Sequence, residues 1–586
     1  MKRKTKIICT LGPATDDPKV LRELMLAGMN TARLNFSHGS YEEHKRRIDA
    51  VKALRDELGL PIALLLDTKG PEIRTGDFEN GKIILEKGQK FTLTPKEMLG
   101  TQEMTHITYP GLSRDVEKGT RILIDDGLIE MAVTQIKGGD VICEVLNGGP
   151  VSNHKSINVP DVNLTMDYMS EKDVADIKFG VEQGVDFIAA SFVRSAYDVL
   201  EIKRVLEQCG AETIQVIAKI ENRQGVNNAD HIIKTCEGIM VARGDMGVEI
   251  PFEELPSVQK ELIEKCYRSG RRVITATQML ESMTHNPRPT RAETSDVANA
   301  VYDGTSAVML SGETAVGEYP VKALKTMAQI CVKAEEDINY IKRFEGRHLM
   351  GGMDVTNAIC HSACTTAHDL GAAAIITVSK SGFTPRVLSG FRPKCPIIAG
   401  CMSDQVYRQL ALSWGVTPIH TEMKKTSDAL FDHVVDQAVK QTSLIEKGDV
   451  VVITGGTSVG ISGTTNILKV QLVGDILLSG TSSSGKAVCG KVCVAQNTAE
   501  ALNNFEAGDI LVIPETSNDI ISILRKASAI ITEKPGLSSH AAVVGMTLDI
   551  PVICGATGAT NILKNGTTIT IDGVRGRVYS GVAKII

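Results

Sequence analysis

Short apolar runs and amphipathic runs take turns along roughly the first 340 residues. The apolar runs are Lys6–Thr10, Thr31–Phe36, Ile62–Asp67, Phe187–Phe192, Thr213–Ile220, Gly238–Ala242, Arg272–Ala276 and Ser306–Leu310. They are near-continuous in Val, Ile, Leu and Ala, which suits strands of a parallel sheet covered on both faces. Between them, Tyr41–Leu58, Glu171–Gln183, Ala196–Gln208 and Phe252–Ser269 place Leu, Ile and Val at spacings of three and four, and so predict helices. Eight strands, each followed sooner or later by a helix, predict a closed (β/α)8 barrel within the α/β class.

One connection breaks the rhythm. About a hundred residues separate Asp67 from Ser170, too many for a structureless loop inside a compact domain. They are rich in Gly and Thr and carry short β-type runs at Lys82–Leu85, Lys90–Leu93, Arg121–Asp125, Leu128–Val133 and Asp140–Val145. The expectation is an inserted small β-barrel domain, a lid by its position. Beyond residue 345 or so the alternation resumes, with a helix over Asn357–Leu370 and strands at Ala374–Val378, Pro396–Gly400 and Val450–Thr454. Gly480-Thr481-Ser482-Ser483-Ser484-Gly485 reads as a flexible linker. The expected domains are a barrel over 1–69 and 167–343, a lid over 70–166, an open α/β domain over 344–473, and a linker plus a swivelling-type α/β tail over 474–586.

Composition narrows the function classes. The chain of 586 residues exceeds what one core holds, and its net charge of −6 argues against nucleic acid or an anionic membrane as main partner. The thirteen cysteines include no Cys-x-x-Cys pair, so free thiols in a reducing, cytoplasmic setting are expected. The apolar run behind the basic start (Lys2, Arg3, Lys4, Lys6) is too short for a signal peptide, and no run reaches membrane-spanning length.

The strand ends carry the chemistry. In Val216-Ile217-Ala218-Lys219-Ile220-Glu221 a cation and a carboxylate stand two residues apart, on one face of the strand. From the second to the eighth, the other predicted strands end in Arg33 and Asn35, Asp67, Ser191, Asp245, Thr277, and Ser311 with Glu313. In such a barrel the C-terminal strand ends hold the site. A salt-bridged rim explains any one of these endings; a ring of seven points to a site for a hard divalent cation and an anionic substrate. Glu221 and Asp245 are oxygen ligands for that cation. Lys219 and Arg33 are fixed charges for a phosphoryl group in transfer. Thr277 offers a hydroxyl to pass or orient a proton. Asn35, Ser37, Asp67 and Thr68 fit a monovalent cation or a hydrogen-bonded turn equally.

Several long blocks resemble pyruvate kinase: Thr10-Leu11-Gly12-Pro13-Ala14, Ala32–Gly39, Asp67–Gly76, Ala218–Gly225, Met240–Gly247, Ala276–Leu280 and Met309–Thr314. The resemblance spans about residues 1–473 and implies phosphoryl transfer from phosphoenolpyruvate to ADP, giving pyruvate and ATP. It implies Mg²⁺ (or Mn²⁺) on Glu221 and Asp245, and K⁺ on Asn35, Ser37, Asp67 and Thr68, with Glu72 standing where K⁺-dependent members carry glutamate. It puts Lys219 and Arg33 on the phosphoryl group, with Gly244, Asp245, Thr277 and Ser191 on the substrate. Asn35, His38, Arg74 and Lys172 match nucleotide-side positions. Such enzymes are usually homotetramers. The 344–473 domain resembles the family's regulatory domain, and Ser379, Lys380, Ser381, Gly382 and Thr384 match a site for a phosphorylated effector. The tail resembles the phosphohistidine domain of phosphoenolpyruvate-utilising enzymes, with His540 on the phosphoryl-carrying position. The chain has no room for the large ATP-binding domain of those enzymes, so the tail is read as structural or regulatory. The rival readings are a phosphohistidine-dependent dikinase or synthase, and a non-catalytic metabolite sensor.

Overall fold

A computed structural model describes residues 3–346, 354–456, 465–474 and 476–583. The chain divides into two compact units. The first comprises Met1–Asn357, Lys380–Arg392 and Cys401–Pro418; the second comprises the remaining segments to Ile586.

The first unit is built on eight parallel strands: β1 (Lys6–Thr10), β2 (Thr31–Asn35), β3 (Ala63–Asp67), β4 (Phe187–Ala190), β5 (Gln215–Ile220), β6 (Gly238–Ala242), β7 (Arg272–Ala276) and β8 (Ala307–Leu310). They close into a barrel in sequence order, with β8 pairing back onto β1 through Lys6↔Ala307 and Cys9↔Leu310. Ile8, Ala63, Leu65, Phe187, Ala189, Ile217, Met240, Ile274, Ala307 and Met309 cluster as one buried set. The residues between them, such as Leu64, Ile188 and Val216, join the large core shared with the helices. Strand alternation thus sorts two cores. It also sends the residue two beyond each inner-core residue to the same face. Leu65 leads to Asp67, Ala189 to Ser191, and Ile217 to Lys219 and Glu221.

The helices begin and end where local chemistry dictates. Tyr41–Leu58 has a Ser40/Glu43 capping box and stops at Gly59, whose φ of 62° fits the left-handed cap. Glu171–Glu182 and Arg291–Asp303 start on Ser170/Asp173 and Thr290/Glu293 boxes. The helix expected from Phe252 starts at Leu255, with Pro256 in its first turn, where a missing N–H costs nothing.

The insertion forms a seven-stranded, mostly antiparallel sheet and a two-stranded ribbon, Lys82–Leu85 with Gly149–Ser152. Alternate residues Phe91, Leu93, Met131, Val133, Val141 and Cys143 fill its own core.

The second unit contains a sheet in which Ala374–Ser379 pairs parallel to Val450–Gly456, which pairs antiparallel to Thr465–Leu472. The edge strand Val416–His420 holds Pro418. An eight-stranded sheet forms the tail. The segment expected as a linker belongs to that sheet. Thr481 and Ser482 pair with Cys554 and Ile553, Ser483 N–H donates to Val552, and Gly480 N–H donates to Gly576. No helix among the described residues is long and apolar enough to cross a membrane.

Candidate active site

At the C-terminal rim of the barrel, the inward-facing positions bring a network of opposite charges together. Lys219 Nζ lies 3.0 Å from Asp67 Oδ1, 2.7 Å from Ser191 Oγ and 3.0 Å from Glu221 Oε1. Arg33 Nε donates to Asp67 Oδ2 at 2.6 Å, and its Nη1 donates to Thr10 Oγ1 at 3.0 Å. Asp67 and Glu221 are fully buried, and Arg33 and Lys219 are 8 % exposed.

The electrostatics follow from that burial. Desolvation would raise the Asp67 carboxyl, but Arg33 and Lys219 outweigh it and hold the group below its usual range. Burial likewise opposes the charge on Lys219, yet Asp67 and Glu221 more than offset it, so the ammonium is raised and stays protonated. Glu221 differs. Burial pushes its carboxyl up to about 8, Asp245 adds repulsion, and Lys219 only partly compensates. One Glu221 oxygen accepts the Phe192 N–H at 2.5 Å. The other, Oε1, is buried and accepts no hydrogen bond despite the ammonium nearby. A buried, electron-rich oxygen left in this state fits a cation.

Asp245 sits in the first turn of the short helix Arg243–Glu249 that follows β6. It is exposed and lines a cavity of about 410 Å³ together with Glu72, Arg74, Asn222 and Glu249. No group of three or more His, Cys, Asp or Glu side chains is placed to cage a metal among the described residues. Two carboxylates suit Mg²⁺, which keeps several positions for water and substrate oxygens.

Thr277 follows β7 with φ +65°, and Gln278 follows it at +52°. A β-branched residue there is strained, and such strain persists only where its surroundings enforce it. Thr277 Oγ1 accepts the Gly244 N–H at 2.8 Å and donates to the Ala276 carbonyl at 2.6 Å. Arg243 completes the clamp. It donates to the Thr277 carbonyl at 2.6 Å and to Asp296 at 2.7 and 2.6 Å. Arg243 carries no signal of this role in the sequence, because Asp296 is more than fifty residues away. A lysine cannot make the same fork of contacts. Arg243→Lys is therefore expected to lower kcat/KM for the anionic substrate about tenfold, while the melting temperature changes by only a few degrees. Steady-state kinetics beside a thermal melt check this.

The oxygen-rich set gathers at the ends of β2 and β3. Asn35 Oδ1 accepts the Ser37 N–H at 3.2 Å, and the Asp67 carbonyl accepts the Phe36 N–H at 2.9 Å. Thr68 Oγ1 accepts the Ser191 N–H at 3.2 Å, and Ser191 Oγ donates to the Thr68 carbonyl at 2.7 Å. The nucleotide-side candidates fall in two places. Lys172 Nζ bonds Asp176 at 2.6 Å and the Phe36 carbonyl at 3.2 Å, beside Asn35 and the exposed His38. Arg74 instead lines the cavity, paired with Glu72 at 2.7 Å. Glu313 turns away from catalysis: its carboxylate accepts the Leu280 and Ser311 N–H groups at 3.0 and 2.7 Å.

Further along the chain, Ser379 ends a strand and Gly382, at φ +72°, caps the helix Phe383–Phe391. In the tail, His540 opens the helix His540–Leu548. Its Nδ1 lies 2.8 Å from Thr516 Oγ1 and its Nε2 3.0 Å from Asn518 Oδ1.

Residues 2–324 match the family described as "Pyruvate kinase, barrel domain", and 357–471 match "Pyruvate kinase, alpha/beta domain". The chain belongs to the pyruvate kinase family. Residues 505–576 match "PEP-utilising enzyme, mobile domain". The chain is 51% identical over 588 residues to the pyruvate kinase of Geobacillus stearothermophilus, and 49% identical over 586 residues to that of Bacillus licheniformis; both alignments cover 100% of each chain. The crystal structure of a pyruvate kinase from Cryptosporidium parvum superposes with a TM-score of 0.77 at 38% identity, covering 80% of this chain and 96% of that one. A pyruvate kinase barrel thus extends into a phosphoenolpyruvate-utiliser tail in one polypeptide, as the resemblances of its two parts implied.

Proposed function

We infer that the chain transfers the phosphoryl group of phosphoenolpyruvate to ADP, forming pyruvate and ATP as the last step of glycolysis. The observation that carries this reading is Lys219, a buried ammonium held between Asp67, Ser191 and Glu221 at the mouth of a closed barrel. A fixed cation there meets charge on the equatorial oxygens of a phosphoryl group in flight without any reorganisation. Arg33, anchored by Asp67, holds the phosphoryl group from the neighbouring strands. Gly244, Asp245 and Thr277 take the substrate carboxylate, the Gly244 N–H and the Thr277 hydroxyl giving up their bonds to Thr277 Oγ1 and the Ala276 carbonyl to reach it, and Thr277 orients the proton that converts enolpyruvate to pyruvate.

Glu221 and Asp245 would hold Mg²⁺, which supplies Lewis-acid neutralisation of phosphoryl and carboxylate oxygens. The oxygen donors of Asn35, Ser37, Asp67 and Thr68 suit K⁺. Asn35, His38, Arg74 and Lys172 take the nucleotide side, the loop Ser379-Lys380-Ser381-Gly382 with Thr384 takes a phosphorylated effector, and the working form is a homotetramer in the cytoplasm. The test is pyruvate release from phosphoenolpyruvate and ADP. Activity should require Mg²⁺ and rise with K⁺. Activity only with AMP and inorganic phosphate would instead establish the synthase reading, and activity only with AMP and pyrophosphate the dikinase reading.

The tail is a structural or regulatory unit in this account. Both His540 nitrogens already have neutral partners, Thr516 and Asn518. His540→Ala is expected to leave kcat within about twofold of the parent. A labelled phosphohistidine that forms on His540 and turns over at the catalytic rate would refute this assignment.

A further inference from the structure

The inward face of the barrel also carries polar residues at its N-terminal end. Gln215 opens β5 and Arg272 opens β7, about 17 Å along the strand from Thr277 at ~3.3 Å per residue. A cavity of about 180 Å³ lies at this end, bounded by Arg268, Arg271, Arg272, Arg386 and Arg392, with Glu237 as the one carboxylate among the described residues. Two of these charges are already balanced. Arg268 pairs with Glu264, and Glu237 accepts Lys203 at 2.7 Å and the Val216 N–H at 2.9 Å.

Arg392 donates to the Gly304 carbonyl at 3.0 Å and to Ser306 Oγ at 2.9 Å. The other three, Arg271, Arg272 and Arg386, have no carboxylate within ion-pair distance among the described residues. Arg272 is 5 % exposed. It donates to Gln215 Oε1 at 2.6 Å, to Ser413 Oγ at 3.0 and 3.2 Å and to the Gln409 carbonyl at 3.2 Å, all of them neutral. Arg386 Nη1 donates to the Ser381 carbonyl at 2.9 Å, and Arg271 Nη2 to the Lys234 carbonyl at 3.3 Å. Burial lowers the Arg386 guanidinium to about 10; Glu237, already bonded to Lys203, offsets this only in part, and Arg271 adds repulsion. Burial, then repulsion from Arg386, depresses Arg272 as well. Buried charges are ordinarily paired, so a cluster of like charges around a cavity calls for a counter-ion.

We propose that this cavity binds a doubly charged tetrahedral oxyanion, held by Arg271, Arg272 and Arg386. The ligand is inorganic phosphate or the phosphoryl end of a small phosphate monoester. Guanidinium forks match phosphate oxygens two at a time, which a chloride ion cannot exploit. The volume is below the ~300–1,000 Å³ of drug-sized ligand sites, which excludes a nucleotide. The site stands at the opposite end of the barrel strands from Lys219; Phe383 of the Ser379–Thr384 loop lines it and Arg386 bonds the Ser381 carbonyl, so the loop borders it.

The test is thermal melting of the full-length protein in sodium chloride, sodium phosphate and glycerol 3-phosphate at matched ionic strength. The parent should melt higher in phosphate or in the monoester than in chloride, because an anion bound only to the folded state stabilises it. The stronger of the two probes identifies the source of the anion. Arg271→Gln should need about tenfold more of that probe for the same gain, since one charge-assisted contact is lost. In chloride it should melt no lower than the parent, because a like charge has been removed. Arg386→Gln should behave similarly, and Lys380→Ala should respond as the parent does. A purely structural arginine would lower the melting temperature equally in every buffer. Equal phosphate responses in the parent and Arg271→Gln, or no gain over chloride in the parent, would overturn the proposal.

Discussion

Lys219→Met is expected to lower kcat about a thousandfold or more while the KM for phosphoenolpyruvate moves by less than about threefold. The ammonium lies at the centre of the rim network, 3.0 Å from Asp67 and 2.7 Å from Ser191. Its charge acts mostly on the phosphoryl group between donor and acceptor, so its loss appears in the chemical step rather than in ground-state binding. Methionine fills a similar volume. Asp67 keeps Arg33 at 2.6 Å, so the fold loses one of two counter-charges and not both. The variant should remain folded at a lower melting temperature, by at most a few kcal/mol of stability. Initial-rate kinetics beside a thermal melt separate the two effects. A thousandfold rise in KM with kcat intact would assign Lys219 to binding alone.

Glu221→Gln is expected to fail in a different way. Glutamine has the shape of the carboxyl but offers a metal one neutral carbonyl oxygen. The Mg²⁺ concentration for half-activity should rise at least about a hundredfold, beyond what a supporting hydrogen-bond partner of a metal ligand costs. At saturating Mg²⁺ part of kcat should return, which no metal concentration can do for Lys219→Met. Folding should survive, because a neutral amide at a fully buried position avoids the desolvation that pushes the Glu221 carboxyl up to about 8. Titration of activity against Mg²⁺ for both variants checks the contrast. An unchanged Mg²⁺ requirement in Glu221→Gln would remove this residue from the metal site.

The rim was legible in the sequence because strand alternation is a local rule. Once Ile217 is an interior residue, Lys219 and Glu221 must share its face, and the same step takes Leu65 to Asp67 and Ala189 to Ser191. What stayed hidden depends on distant partners. Thr277 at φ +65° carries no composition signal, since glycine is the usual choice there and Arg243 with Asp296 enforces the turn instead. The place of Glu313 after β8 puts it among the site groups, yet two backbone N–H groups claim it. Val416–His420 is not legible as a strand because Pro418 argues against one, although an edge position tolerates it. Gly480–Gly485 looked like a linker because Gly and Ser dominate it. Its pairing with Cys554 and Ile553 is a tertiary event that composition does not encode.

The central claim is that the phosphoryl group passes from phosphoenolpyruvate to ADP at the Lys219 rim. Phosphorus NMR of the full-length protein with phosphoenolpyruvate, ADP, Mg²⁺ and K⁺ follows that group directly. The phosphoenolpyruvate resonance should decline as the γ-phosphoryl of ATP grows in equal amount, and the exchange should fall to background in Lys219→Met. Release of the group as inorganic phosphate, or no loss of phosphoenolpyruvate, would contradict the account.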